Sequence, residues 1–510
     1  MSELLLNIDQ KHKDTLYKQI YNGIRLSILN GGLKAGEKMP STRQLSIELS
    51  VSRATVTLAY EYLLSEGYLE SRSGSGTYVS RHLPEEYTQI DRKSINIDGL
   101  NLTDTNVLDN TKDYATHLYE NLSYYGLNLK TGNYLDYATS DSDVDIQFGF
   151  GRPDLKAFPM KKWMQLMTYH AIRANLHLLD SPNEAGGYHP LKEALSHYLL
   201  KSRALPCKPN QIIVVNGSQQ GIDLVIRCLL NPNDLVAIEE PGYLGAQRAF
   251  QAAGAKLIPI EVNKEGLRVD ILKTNYDVNS KKVLKMVYVT PSHQYPTGAV
   301  MPLAKRLELI SFAKRTGTII IEDDYDSEYR YDGRPIPALS GLAKSAPVIY
   351  IGTFSKVMLP ALRLGYIVVP EPLIDIFTSA KWLTDRHSPL LHQQALTDFL
   401  NQGHLERHLR KMRPIYLEKR RTLIKLLKEL FGYRVNILGD DAGINILARF
   451  QTTISDEEII QKARELKIGL VTTKSDYISK QVSGEFLFNY AGEPLPKLIA
   501  AIKKLPNIIY

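Results

Sequence analysis

The sequence predicts an α/β protein in three parts: a small helical domain closed by a hairpin, a long polar linker, and a large domain built on a mostly parallel sheet. Three observations predict this. Helical periodicity with good caps fills residues 10–80, it disappears over 81–145, and from 146 to 510 short β-branched runs alternate with helix-sized intervals. The last of these parts ends in a small α+β lobe, over about 390–510.

In the first block Leu16, Ile20, Ile24 and Ile28 recur every four residues behind Asp14, which reads as the N-cap, and Gly31-Gly32 ends the run. Ser41 and Gln44 have capping-box spacing, with Leu45 and Leu49 facing inward. Ser52 caps a third helix that carries Val56, Tyr60, Leu63 and Leu64 on one face and stops at Gly67. The stretch YLESRSGSGTYVS reads as two short strands around a Gly/Ser turn. Three helices and a hairpin make a winged helix-turn-helix. In such a fold the first residues of the last helix meet base edges in the major groove of double-stranded DNA. Ser52 and Arg53 occupy that place, and arginine is the commonest specific reader of guanine. Ser41, Thr55 and Thr57 can reach phosphates or bases, and Gly74-Ser75-Gly76 forms the tip of the wing. Tyr60, Leu63 and Leu64 belong to the core.

The middle stretch is rich in Asn, Asp and Thr and has no sustained amphipathic period until LYENLSYYGL, so it reads as a linker. Tyr124 and Tyr134 are its candidates for docking on a neighbour.

The third part carries strand-like runs at 211–215, 235–239, 283–289, 318–322, 348–352 and 364–369, consistent with a sheet covered on both faces. The stretch from His392 to Leu430 reads as one long helix. An open parallel sheet binds ligands outside the carboxyl ends of its strands. Those ends hold Asn216-Gly217-Ser218-Gln219-Gln220, Glu240-Pro241-Gly242-Tyr243, Thr290-Pro291-Ser292-His293-Gln294-Tyr295-Pro296-Thr297-Gly298, Asp323-Asp324-Tyr325 and Thr353-Phe354-Ser355-Lys356, with Arg363 seven residues further on. They supply a phosphate cradle at a helix start, a cation for that phosphate, a stacking ring, a carboxylate, a phenol and an amine. That inventory suits an aromatic, phosphorylated aldehyde, and pyridoxal 5′-phosphate (PLP) meets every requirement. Taken singly, each residue has an ordinary reading as surface charge, cap or filler; their common position is what singles them out.

Composition narrows the classes further. With 44% hydrophobic and 23% charged residues, the chain is neither disordered nor fibrous. No apolar run reaches the roughly 20 residues of a membrane span, and the N-terminus lacks the pattern of a secretory signal. Two cysteines, Cys207 and Cys228, make no disulfide framework, and no Cys/His cluster has metal-ligand spacing. A reducing cytoplasm is the expected compartment and no metal is expected. A net charge of +7 permits nucleic-acid binding without requiring it.

The ordered set YHPLKEALSHYLL, NGSQQGIDL, EEPGYLGAQRAF, TPSHQYPTGAVM, EDDYDSEYRY and TFSKVMLPALRLGY resembles fold-type-I aminotransferases, in the version carried by MocR/GabR-type transcription regulators. The segment PSTRQLSIELSVSRATVTLAYEYLLSEGYLESRSGSGTYVS resembles the GntR-family winged helix of the same regulators, and QFGFGRPDLKAFP their entry into the aminotransferase-like domain. The resemblance implies that Lys356 forms a Schiff base with PLP, Asp323 partners the pyridine nitrogen, Tyr325 the ring hydroxyl, and Tyr243 stacks on the ring. Asp323 is preferred to Asp324 because it lies two residues before Tyr325, on the same side of an extended strand. Ser218, Gln219, Thr353, Ser355 and Arg363 match phosphate-binding positions. Tyr188 sits near a position that in this fold reaches the other subunit's phosphate. His293 and Tyr295 stand where transaminases carry an Asn before Pro-Thr-Gly. Arg43 matches a DNA-contacting position of GntR proteins.

The resemblance also implies a homodimer and a regulator that senses a small amine, an amino acid or the vitamer itself through Lys356. The alternative is a working aminotransferase with an appended DNA-binding domain. Many transaminases grip the substrate carboxylate with an arginine in a context like RxSFA. The comparable stretch here, Glu485 to Ala491, has none, which favours sensing over physiological turnover and leaves a residual half-reaction chemically open.

Overall fold

The computed structural model describes residues 8, 14–72, 75–81, 83, 116, 118–131, 143–149, 151–173, 185–278, 280, 282–331, 336–343, 346–439 and 442–510. The chain divides into two compact units, Met1–Leu118 and Tyr119–Tyr510.

The first unit contains α1 (Leu16–Leu29), α2 (Thr42–Glu48), α3 (Arg53–Ser65) and the antiparallel pair β1 (Leu69–Arg72) and β2 (Gly76–Val79). Ile20, Ile24 and Ile28 of α1 are buried against Leu45, Val56, Ala59, Tyr60, Leu63 and Val79, the core that the four-residue spacing predicts. The N-cap of α1 is Thr15 rather than Asp14, and the Thr15 side chain makes no capping bond among the described residues. Asp14 instead lies 3.6 Å from Lys18 Nζ, one turn along the helix. At α2, Ser41 Oγ accepts from Gln44 N at 3.1 Å, but the Gln44 amide donates to Glu48 Oε1, so half of the expected capping box forms. Ser52 caps α3 by accepting from Thr55 N at 3.1 Å.

The second unit is built on an eight-stranded sheet of β3 (Ile212–Val215), β4 (Leu235–Glu240), β5 (Lys256–Asn263), β6 (Gly266–Leu267), β7 (Leu284–Val289), β8 (Ile319–Asp324), β9 (Val348–Thr353) and β10 (Gly365–Val368). Their order is β3-β10-β9-β8-β7-β4-β5-β6. The central pairings, β9 with β8, β8 with β7, β7 with β4 and β4 with β5, are parallel. β10 runs antiparallel between β9 and β3. One face packs on the helices Ser218–Leu229 and Leu244–Ala252 through Ile222, Val225 and Phe250. The other buries Leu309, Phe312 and Leu272. The run KLIPIEVN, which the sequence reading passes over, is β5.

The small lobe is a four-stranded antiparallel sheet, β11 (Val435–Leu438), β12 (Asn445–Phe450), β13 (Val471–Thr472) and β14 (Glu485–Asn489), in the order β11-β12-β14-β13. Ile146-Gln147 pairs with Ile468-Gly469, and Asn489 N donates to Phe148 O, so the segment that enters this unit packs on the small lobe. The single long helix expected after 390 is two, Leu390–Asn401 and His404–Phe431. Gly403, at φ +69°, supplies the left-handed residue that ends the first and starts the second.

Part of the expected linker is ordered. Tyr124–Thr131 is a helix whose Asn128 amide donates to Ala252 O at 3.1 Å, capping the carboxyl end of Leu244–Ala252, and the ring of Tyr124 lies over Gly254. Tyr134, the other tyrosine singled out there, lies outside the described residues. Among the described residues no helix is long and apolar enough to cross a membrane, and no group of three or more His, Cys, Asp or Glu side chains is placed to hold a metal ion.

Candidate functional site

The carboxyl ends of β3, β4, β7, β8 and β9 open on one cavity of ≈ 240 Å³. Its lining includes Lys356, Asp323, Tyr325 and Tyr243, together with Ser218, Gln219, Thr353, Ser355, Arg363 and Tyr295. Those are ten residues that the strand-end reading and the resemblance single out. His293 and Tyr188 are not in the lining.

Strand parity decides between the two aspartates. Asp323 points into the cavity, whereas Asp324 points to the other face, where Arg203 Nε lies 2.6 Å from Oδ2 and Tyr350 OH donates to the same oxygen at 2.6 Å. Asp323 Oδ2 accepts from Tyr288 OH at 2.5 Å. Its other oxygen, Oδ1, is buried and has no partner among the described residues. Burial pushes the Asp323 carboxyl up to about 7, against the opposing bond from Tyr288. Lys356 Nζ donates to Gly151 O at 3.0 Å, and burial lowers its pKa to about 8 while Asp326 and Asp323 hold it up. A buried carboxyl and a buried amine thus both titrate near neutrality, the range in which proton transfer is easiest.

The anion-binding end is a loop, a helix start and a guanidinium. Gly217 adopts φ +85° as the N-cap of the helix Ser218–Leu229, and a Cβ there would stand 3.1 Å from the Arg363 guanidinium. Arg363 follows the turn Pro360–Leu362 at φ +50° and donates to Asn216 O at 2.7 Å. Thr353 and Ser355 add hydroxyls 3.0 Å apart. Helix-start amides, a guanidinium and hydroxyls are the groups that hold a phosphate.

The aromatic wall is continuous. Tyr243 meets Tyr295 edge to face at 5.9 Å, and Tyr295 meets Tyr325 at 6.3 Å. Burial raises the Tyr243 and Tyr325 phenols above their ordinary range, so both stay protonated as donors. His293 stands behind Tyr325, with Nδ1 3.0 Å from Tyr325 OH and 2.9 Å from Asp326 Oδ2. Its place is thus beside Tyr325 rather than on the cavity wall. Tyr188 is the residue before the helix His189–Arg203; its N donates to Gln393 Oε1 at 2.8 Å and its ring packs on the hydrophobic core.

The sequence reading assigns no role to Gly151, Tyr288, Thr290, Pro360 and Asn445 of the lining. Thr290 and Pro360 lie inside the quoted motifs TPSHQYPTGAVM and TFSKVMLPALRLGY and were within reach. Gly151 lies in the quoted entry segment QFGFGRPDLKAFP without a role assigned to it, and Asn445 arrives from the small lobe with no local pattern to signal it.

On the first unit, Arg43, Ser52 and Arg53 are exposed at the starts of α2 and α3, with Thr55 and Thr57 half-buried one turn on. Arg53 Nε lies 3.4 Å from Thr42 Oγ1, which ties the two helix starts together. Ser75 and Gly76 are exposed at the hairpin turn; Gly74, the third residue of the expected wing tip, lies outside the described residues. Tyr60 and Leu63 are buried in the core, and Tyr60 OH donates to Pro40 O at 2.9 Å.

Two families match the two units. Bacterial regulatory proteins of the gntR family match residues 16–79, and aminotransferase class I and II matches residues 146–494. The probable rhizopine catabolism regulatory protein MocR of Rhizobium meliloti is 36% identical over 488 residues, covering 96% of this chain and 92% of that protein. The chain belongs to the MocR-type GntR regulators. A second relative is the HTH-type pyridoxine biosynthesis transcriptional regulator PdxR of Corynebacterium glutamicum, 28% identical over 84% of this chain and 83% of that one. Among solved structures, a kynurenine aminotransferase of Pyrococcus horikoshii in complex with PMP superposes with a TM-score of 0.67 at 27% identity, over 80% of this chain and 98% of that one. MocR-type regulators join a DNA-binding GntR domain to a fold-type-I aminotransferase domain, whose family is PLP-dependent and takes a small-molecule ligand. The cavity fits that cofactor by its own chemistry: the unpartnered Asp323 Oδ1 calls for a donor such as a ring nitrogen, and the cradle at Gly217 and Arg363 calls for an anion.

Proposed function

We propose that this regulator holds PLP in the cavity and uses it to sense a small amine or amino acid, passing occupancy to DNA binding. The observation that carries the reading is the enclosure of Lys356 and the half-satisfied Asp323 in one cavity, in a chain that also carries the GntR domain. In this reading Arg363, Ser218, Gln219, Thr353 and Ser355 hold the phosphate. Tyr243 and Tyr295 flank the ring, Asp323 Oδ1 accepts from its nitrogen, and Tyr325 donates to its hydroxyl. When bound, PLP supplies an aldehyde carbon that amines attack, drawn electron-poor by the ring. Lys356 Nζ, with its pKa near 8, is the chain's own amine for that carbon, and an effector amine competes with it. The cations in the described lining are Lys356 and Arg363, with Arg152 exposed but close enough to act on Lys356. With one cation assigned to the cofactor carbonyl and one to its phosphate, the described lining holds no further cation for a substrate carboxylate, which favours sensing over turnover in this reading. On the DNA side, Arg53, Ser52, Arg43, Thr55 and Thr57 read and position an operator, with the hairpin turn on its backbone. The reading includes a homodimer, since fold-type-I sites complete themselves across two subunits, and a cytoplasmic setting.

The test is the coupling itself. Operator DNA, selected from random sequence by the wild-type protein, is titrated with and without PLP and a panel of amines. At least one amine is expected to shift operator affinity in the wild type and to leave Lys356→Ala unaffected. An equal shift in both proteins would overturn the role of Lys356 in sensing.

A further inference from the structure

Behind the phosphate cradle lies an ion pair, its lysine buried and its aspartate partly exposed, that no sequence motif marks. Lys381 and Asp385 sit one turn apart on the helix Ile374–Asp385, with Nζ 2.6 Å from Oδ1. The Lys381 side chain is 0% exposed. Its ammonium donates to Asp385 Oδ2 at 2.8 Å, to Gln220 Oε1 at 3.1 Å and to Ser388 Oγ at 3.2 Å, so all three N–H groups are used. Asp385 Oδ2 draws two amides onto one atom, Asn216 Nδ2 at 2.6 Å and Gln220 Nε2 at 2.8 Å.

The consequence falls on Asn216. Its N donates to Gln220 Oε1 at 2.7 Å, its Nδ2 goes to Asp385, its Oδ1 accepts from Ser388 Oγ at 2.7 Å, and its O accepts from Arg363 at 2.7 Å. Every polar atom of the residue that precedes Gly217 is therefore fixed, three of them by this cluster and the fourth by the cradle's guanidinium. A neutral cluster could flip the Asn216 amide and keep the same number of bonds, whereas the Asn216 N–H fixes the Gln220 amide in either case. An ammonium on Gln220 Oε1 and a carboxylate on both NH2 groups allow one orientation only. The cost of burying the lysine, whose pKa burial lowers, is set against a unique loop geometry.

We infer that Lys381 and Asp385 are a positioning pair for the phosphate-binding loop, holding Asn216 so that Gly217 and Arg363 meet the phosphate. This rests on the cavity's proposed role as the PLP site. Neither residue lines the cavity, so both act through Asn216.

The test compares binding of PLP with binding of pyridoxal, which lacks the phosphate, to the full chain by visible absorption. Lys381→Met and Asp385→Asn are expected to reduce the preference for PLP over pyridoxal at least about tenfold while pyridoxal affinity stays within about twofold. Ser388→Ala removes one bond to Asn216 and no charge, and is expected to reduce the preference about threefold to tenfold. It carries the test alone if the charge variants do not fold. Parallel losses for both ligands, or an unchanged preference, overturn the positioning role. A wild type without preference for PLP overturns instead the underlying reading of the cradle.

Discussion

Tyr288→Phe removes one hydroxyl from a fully buried ring and leaves its packing intact, which isolates the bond to Asp323. A hydrogen bond to a charged group contributes about 1.5–3 kcal/mol, or about one to two pKa units. Tyr288 lowers the Asp323 pKa, so its loss raises that pKa from about 7 toward about 8–9. PLP needs the carboxylate ionised to receive a ring N–H. At pH 7 the ionised fraction then falls from about one half to between about one in ten and one in a hundred, and PLP binding weakens about fivefold to fiftyfold. At pH 9 the wild type is fully ionised and the variant at least about half so, and the difference shrinks to about twofold. The assay is PLP titration by visible absorption at both pH values, with each variant compared to wild type at the same pH. A loss of equal size at pH 7 and pH 9 would refute the role of Asp323 as an ionised partner, and no loss at pH 7 would refute the role of Tyr288.

Three further outcomes are expected. Arg53→Ala weakens binding to the selected operator far more than to random DNA, measured by competition at fixed salt; equal losses would reduce Arg53 to a phosphate contact. Ile24→Ala, in the core between α1 and α3, destabilises the first unit by about 2–5 kcal/mol and leaves PLP absorption unchanged, since the two units have separate cores; loss of PLP binding would show the cores to be coupled. Steady-state transfer between common amino donors and keto acids is slow or absent, and robust multiple turnover would favour the enzyme reading over the sensor.

Much of the site was legible because a parallel sheet converts sequence order into position. The runs of β3, β4, β7, β8 and β9 end at the cavity, so reading only those ends collects residues from Ser218 to Lys356 without tertiary information. Period-two parity separates Asp323 from Asp324, and the structure puts the second on Arg203. The omissions have physical causes. β5 carries Pro259, which argues against a strand, but its outer neighbour pairs only at Val262 and Asn263, so the missing N–H faces no partner ladder there. Asn445 and Gly151 reach the cavity through the small lobe and the entry segment, a juxtaposition set by packing alone. Tyr288 looks like one more aromatic in the apolar run of β7, and only its bond to Asp323 shows its use. The break at Gly403 was visible as a glycine but was outweighed by helical periodicity on both sides.

The central claim is that one amine in this chain carries the cofactor. Borohydride reduction of the PLP-loaded protein, followed by peptide mass mapping, tests it most directly. A single pyridoxyl adduct on the peptide containing Lys356 is the predicted result. Adducts spread over exposed lysines such as Lys201 and Lys208, with Lys356 unmodified, would contradict it.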